Sequence, residues 1–344
     1  MNASIPVNID GWELSLSNLD KVLWPQEGYT KGELVNYYLE ISPYMIKYLL
    51  DRPLVFTRYP DGIDGKNFYQ KNAPEYMPAW IKTYIYQSPK DKSFNNLIVV
   101  EKQADLVWLA NQAFIEIHPW LSRQNSILNP DYIVFDLDPY ENCPFERVVD
   151  IALLLKQLLD DMGLRAYIKT SGAEGLHIYL PVVDKYDYNQ VRNWAGKIAG
   201  MICTARPDIA TIERSISKRG QRIYVDYMQN VIGKTICAPY SVRPRHGAPV
   251  STPVRWEELR DISPGDFNIK NIFDRLKKTG DLFSAVVTDK QNIDKIINIL
   301  GYPTKYENNS CTYYPEKDNP FTTLSFKIDD NMTIKQIEMI MGLD

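Results

Sequence analysis

The clearest hydrophobic pattern lies mid-chain. Tyr132-Ile133-Val134-Phe135-Asp136-Leu137-Asp138-Pro139 is an apolar run that ends in alternation and halts at proline, which predicts a strand over 131–138. Apolar positions three and four apart over 145–162, ended by Gly163, predict an amphipathic helix. Strands follow at 165–170 and 176–182, joined by the turn Ser171-Gly-Ala-Glu-Gly175. A helix over 188–204 and a strand over 222–229 complete the run. Upstream, Thr30-x-x-Glu33 has the form of a capping box and opens a helix over 30–50; a short strand is expected at 54–58. Residues 60–80, rich in proline, glycine and aromatics, read as a functional loop, and short elements are expected at 97–100 and 113–117. Downstream, 266–288 is expected to be helical. Beyond about 289, a helix at 292–300, strands near 311–314 and 323–328 and a helix at 333–342 suggest a small appended module.

The fold class is therefore α+β. The central β-α-β-β-α-β order is that of a ferredoxin-like (RRM-like) core, whose usual strand order is 4-1-3-2. Three parts are expected: an N-terminal α/β module over 1–110, the core over 111–288, and an α+β module over 289–344.

Alternation assigns faces. If the two helices cover Ile133, Phe135 and Leu137, then Asp136 and Asp138 share the opposite face. The same logic leaves His177 and Tyr179 on the third strand, and Tyr224 and Asp226 on the fourth, facing that way. In the 4-1-3-2 order, Asp226 falls beside the aspartate pair on one side and His177 on the other. Three carboxylates on one uncovered surface repel unless a cation lies between them. Hard oxygen ligands point to Mg²⁺ or Mn²⁺, and the set suits two-metal phosphoryl transfer.

The 344 residues carry 39 basic and 43 acidic side chains, for a net charge of −4, which alone argues against a nucleic-acid partner. The distribution changes that. Residues 206–247 are +5 and the remainder −9, so a phosphate-binding patch is compatible with an acidic chain. Arg243, Arg245 and Lys218 are candidate phosphate clamps there, unless the patch is merely a solvated face. Ser171-Gly172-x-x-Gly175-Leu176-His177 adds a glycine turn able to approach an anion. Lys21, Lys31 and Arg58 are cationic positions in the N-terminal module. Phe68 and Tyr69, between Lys66 and Lys71, serve either as loop packing or as a base-stacking platform. Four scattered cysteines without a Cys-x-x-Cys pair argue against structural zinc. With no signal-peptide pattern at 1–19 and no long apolar run, a reduced, cytoplasmic protein is expected.

Asp-Leu-Asp-Pro at 136–139, Ser-Gly-x-x-Gly-Leu-His at 171–177 and Tyr-Val-Asp-Tyr at 224–227 resemble the three motifs of archaeo-eukaryotic primase-type polymerases. The closer resemblance is to the polymerase domain of bacterial ligase D. It is carried also by Asp-Lys-Val-Leu-Trp-Pro at 20–25, Asp-Arg-Pro-Leu at 51–54, Gln-Lys-Asn-x-Pro at 70–74 and Arg-Pro-Arg-x-Gly-Ala-Pro-Val-Ser-Thr-Pro at 243–253, and covers about 10–290.

The resemblance implies a template-directed nucleotidyltransferase of non-homologous end joining. It would use two Mn²⁺ or Mg²⁺ ions and nucleoside triphosphates, often preferring ribonucleotides. By motif match, Asp136, Asp138 and Asp226 would hold metal. Ser171, His177 and Arg243 would contact the triphosphate, with His118 close by. Lys21 and Lys31 would hold the 5′-phosphate of a downstream DNA strand. Phe68 and Tyr69 would stack on DNA, although the family often has Phe where Tyr69 stands. A Ku-type end-binding protein and a separate DNA ligase are the implied partners, since no ligase or nuclease pattern accompanies these residues. Two other readings compete. A phosphatase with a nucleophilic Asp136 is disfavoured by Pro139-Tyr140 and by the element order. A DNA-end-binding adaptor with a decayed site is disfavoured because all three carboxylates are present.

Overall fold

The computed structural model describes residues 4–88 and 92–300. The strands expected at 311–314 and 323–328 and the helix at 333–342 lie outside them.

Helix α1 (Lys31–Leu49) starts where the capping box predicts. Thr30 Oγ1 accepts from Glu33 N at 3.2 Å, and Glu33 Oε2 accepts from Thr30 N at 2.7 Å. The first sheet follows. Its strands are β1 (Leu54–Arg58), β2 (Phe68–Gln70), β3 (Lys82–Gln87), β4 (Phe94–Val99) and β5 (Phe114–Pro119), with helix α2 (Gln103–Asn111) before the last. The order is β2-β1-β4-β3, and β5 also pairs with β1. The expected 60–80 loop thus contains an edge strand, with Arg58 opposite Phe68 and Thr57 opposite Tyr69. Helix α2 gave no amphipathic signal because nearly all of its residues are buried.

The second sheet holds β6 (Tyr132–Asp138), β7 (Tyr167–Thr170), β8 (Leu176–Pro181), β9 (Ala210–Thr211), β10 (Ile223–Asp226) and β11 (Pro253–Val254). Helices α3 (Phe145–Asp161) and α4 (Tyr188–Ala205) make the crossovers. The observed order is β9-β10-β6-β8-β7-β11. Within the expected unit this places the fourth strand beside the first, then the third and the second.

Ile133, Phe135, Leu137, Leu176, Ile178, Leu180, Ile223 and Val225 all pack in one core with α3 and α4, as alternation assigns them. The opposite face is not uncovered. Tyr132, Val134 and Tyr179 belong to a second core with α1 and the first sheet, which also takes in Ile236, Ala238, Tyr240 and Phe283. Apolar residues at both ends of the unit had no partner in the two-layer arrangement, and the N-terminal module supplies it.

Two elements are shorter than expected. The last core strand stops at Asp226 because its carboxylate accepts from Met228 N at 2.7 Å and turns the chain. The 266–288 helix divides into Ile272–Thr279 and Ala285–Thr288 around Gly280, whose φ is +66°.

Candidate active site

Register builds the site. Asp136 lies opposite Asp226 on one side and His177 on the other, and Asp138 lies opposite Tyr224. The three carboxylates differ in setting. Asp136 has a side chain 22% exposed, and burial, then Asp226 and Asp138, push its carboxyl up to about 7. Asp226 accepts from Met228 N, from Tyr224 Oη at 3.1 Å and from Gln229 Nε2 at 3.1 Å. Asp138 is 55% exposed and pairs with Arg219 at 3.1 Å. The Arg219 guanidinium also lies 3.9 Å from the Tyr224 ring centre. Among the described residues, no three His, Cys, Asp or Glu side chains are drawn together closely enough to hold a metal as they stand.

Asp136 and Asp138 edge a cavity of about 270 Å³ whose other walls include His118, Ser171, His177, Gln229, Arg243 and Arg245. Asp226 and Lys218 are not among its walls; Asp226 adjoins it through Asp136, whereas Lys218 is exposed on a short helical turn. The neighbouring Arg219 is the side chain that reaches a carboxylate.

The glycine turn is shaped by close approaches. Ser171 Oγ accepts from Ala173 N and Gly175 N, both at 3.0 Å, so the hydroxyl closes the turn. A Cβ on Gly172 would come within 2.7 Å of Arg243 Cγ, and one on Gly175 within 2.2 Å of the Leu137 carbonyl oxygen. The turn therefore packs directly on the carboxylate strand and on Arg243.

Side chains that sequence reading passed over complete the walls. Glu116 pairs with Arg243 at 2.8 Å and stands 3.8 Å from His118 Nε2. Burial works against its charge, but His118 and Arg243 outweigh burial and hold the carboxyl at about 2. Lys169 lies fully buried behind His177, its Nζ 2.8 Å from Nδ1. Alternation signals both: Glu116 shares a strand face with His118, and Lys169 shares one with Ser171.

A second cationic group forms around the start of α1. Lys31 is buried and donates to the Asn111 carbonyl at 3.0 Å. Burial, then the charges of Lys21 and Arg58, lower its ammonium to about 8. Lys21 pairs with Asp61 at 2.8 Å, and Arg58 donates to the Gln112 carbonyl at 2.7 Å. Phe68 and Tyr69 are 46% and 60% exposed. Lys66 and Lys71 stand 5.5 and 6.0 Å from their ring centres. This group is tied to the cavity wall, because Trp24 Nε1 donates to the Arg245 carbonyl at 3.0 Å.

Fold and site together have the form of a primase-polymerase domain. The chain belongs to the LigD primase-polymerase domain family, whose model matches residues 30–283. It is 35% identical over 271 residues to the bifunctional non-homologous end joining protein LigD of Bacillus subtilis, covering 78% of this chain and 43% of that protein. It is 32% identical over 284 residues to the multifunctional non-homologous end joining protein LigD of Mycolicibacterium smegmatis, covering 82% and 37% respectively. The chain thus spans less than half the length of these relatives. Among solved structures it resembles the polymerase domain of Mycobacterium tuberculosis ligase D in complex with DNA, with a TM-score of 0.75 and 28% identity, covering 81% of this chain and 99% of that one. The family expected from the motifs is borne out.

Proposed function

We propose that this protein is a template-directed polymerase that fills gaps and extends ends of broken DNA in non-homologous end joining, with ribonucleotides preferred. The observation that carries the reading is the register that sets Asp136 between Asp226 and His177, at the lip of a cavity walled by Arg243 and Arg245. Its catalytic core, residues 111–288, is ferredoxin/RRM-like, with 1–110 contributing the DNA 5′-phosphate contacts and 289–344 appended.

The donor set fits two Mn²⁺ or Mg²⁺ ions. Asp136, Asp138 and Asp226 are acceptor-only carboxylates, and the mutual repulsion that raises Asp136 is what a cation relieves. Asp138 would leave Arg219 to join the set. Held by these carboxylates, the ions would supply neutralisation of the triphosphate charge and activation of the attacking 3′-hydroxyl. His177 and Arg243, with His118 and Ser171 beside them, would bind and orient the triphosphate; Lys218 would act from outside the cavity. Lys21, Lys31 and Arg58 would hold the 5′-phosphate across a gap, and Phe68, Tyr69 and Lys71 would bear on the DNA. A Ku-type end-binding protein and a DNA ligase are the proposed partners. No described helix is long and apolar enough to cross a membrane, which suits work on DNA in the cytoplasm.

The test is extension of a labelled primer across a short 5′-phosphorylated gap with Mn²⁺ and ribo- or deoxyribonucleotides. Wild type should add templated nucleotides and Asp136→Ala/Asp138→Ala none. If neither protein adds nucleotides while both bind the gap, the DNA-end-binding adaptor is the better reading.

A further inference from the structure

We propose that Trp24 and Glu27 are positioning residues: they hold the turn that carries Arg243 and Arg245, and so couple nucleotide binding to the 5′-phosphate bound at the other end of their hairpin. The inference deepens the proposed polymerase reading and rests on it for the identity of the two ligands.

One short hairpin joins the two groups of cations. Val22–Trp24 pairs antiparallel with Tyr29–Thr30. At its open end Lys31 N donates to the Lys21 carbonyl at 2.8 Å, which brings the two lysines together. At its closed end Gly28 N donates to the Trp24 carbonyl at 2.8 Å, with Gly28 at a φ of +72°. From this closed end Trp24 Nε1 donates to the Arg245 carbonyl at 3.0 Å, and Glu27 Oε1 accepts from Gly247 N at 2.5 Å.

The arginine turn depends on such outside support. Within it, Arg245 N donates to the Arg243 carbonyl at 2.9 Å and Ala248 N to the Arg245 carbonyl at 3.0 Å. Gly247 has a φ of +82° and Ala248 one of +47°. An alanine persists in that region only where its surroundings fix it. Glu27 is itself held at a cost: its Oε2 is buried and makes no hydrogen bond among the described residues. His246 Nδ1 stands 3.7 Å from Oε1, too far for a hydrogen bond. The bond to Gly247 is what the buried carboxylate contributes.

Arg243 and Arg245 wall the triphosphate cavity, so freedom in the turn becomes freedom in both guanidiniums. A phosphate bound by Lys21 and Lys31 steadies the hairpin, and the hairpin steadies the turn. A triphosphate arriving afterwards has less motion left to quench and binds more tightly.

The experiment uses the full chain and two gapped duplexes that differ only in a 5′-phosphate or 5′-hydroxyl. At saturating gap, wild type should show a nucleotide KM about fivefold lower on the phosphorylated duplex. Glu27→Met, of similar length but without the acceptor, should raise that KM to the value on the hydroxyl duplex, with kcat unchanged. Its preference for the phosphorylated gap, measured by anisotropy without nucleotide, should persist, because Lys21 and Lys31 are intact. Glu27→Gln keeps an acceptor for Gly247 N and should restore the KM difference. Hydrogen exchange over residues 243–248 gives a readout that requires no polymerisation. The phosphorylated gap should slow it more than the hydroxyl gap in wild type, and equally in Glu27→Met.

A wild type whose KM and exchange ignore the 5′-phosphate overturns the proposal. So does a Glu27→Met protein that keeps the wild-type KM difference. A KM raised by the same factor on both gaps would mean that Glu27 only shapes the turn, and rejects the coupling. If Glu27→Met does not fold, Trp24→Phe decides, since it removes the other bond to the turn: a reduced KM difference supports the coupling, and a wild-type difference rejects it. A wild type that adds no nucleotide counts against the polymerase reading, and the exchange comparison then decides the coupling by itself.

Discussion

Gly175→Ala tests whether the glycine turn sets the position of the carboxylate strand. An added Cβ would stand 2.2 Å from the Leu137 carbonyl oxygen, 1.2 Å inside the 3.4 Å at which ordinary contact begins. The obstacle is backbone, so it cannot swing aside as a side-chain end would. Either the turn or Leu137 must move, and Leu137 lies between Asp136 and Asp138. Overpacking of this kind costs about 1–3 kcal/mol of stability. A displacement of about 1 Å at reacting groups costs about a hundredfold in rate. We expect single-nucleotide addition at a gap to fall about a hundredfold in kcat/KM, with gap binding retained. Gly163→Ala is the matched control. Gly163 has a φ of +70° and open space around the added Cβ, so it carries backbone strain without a clash. It should cost about 1 kcal/mol and leave activity unchanged. A folded Gly175→Ala protein within about threefold of wild type would refute the reasoning, as would an equal loss from Gly163→Ala.

Four further outcomes are expected. Lys21→Ala should weaken binding to a 5′-phosphorylated gap about tenfold and spare an unphosphorylated one, and equal losses by fluorescence anisotropy would remove the phosphate pocket. Because a phosphate favours the charged form of Lys31, held at about 8, the preference for phosphorylated gaps should decline as pH rises through about 8, and a preference flat with pH would dismiss Lys31 from it. Mn²⁺ at about a hundredfold its Kd should raise Tm by about 5 °C in wild type and not in Asp136→Asn, which should itself be more stable than wild type in EDTA because it relieves carboxylate repulsion; the same metal response in both proteins would take Asp136 out of the metal site. Asp131→Asn should cost about 3 kcal/mol in urea unfolding, since it strips the buried Arg52 of its partner. Burial opposes the Asp131 charge, but Arg52, Lys290 and Arg123 hold the carboxyl at about 2. Its contribution is thus present above about pH 4 and lost as pH falls towards 2, and a stability difference between wild type and Asp131→Asn that stays constant from pH 5 to about 2.5 would contradict this.

Local periodicity was enough for much of this protein. The strand alternation of β6, β8 and β10 assigned each side chain to a face, because period 2 leaves a side chain no other choice, and the β-α-β-β-α-β order made neighbours of Asp136, Asp226 and His177. The capping box at Thr30 and Glu33 fixed the start of α1 through bonds that span only three residues. Other features depend on contacts between distant segments, and no local pattern encodes them. Helix α2 is buried on all sides and so has no polar face to betray it. The supposedly open face of the core is covered by a module that begins a hundred residues earlier. At the site itself the cover comes from β5 and from residues 235–251: Ser251 meets Lys169, Arg243 meets Glu116, and His118, Cys237, Arg243 and Arg245 help wall the cavity. The sequence determined which chemical groups share a sheet face; packing of distant segments on that face, β5 and residues 235–251 around the site, decided which of them are desolvated, and desolvation sets the charges on which the chemistry depends.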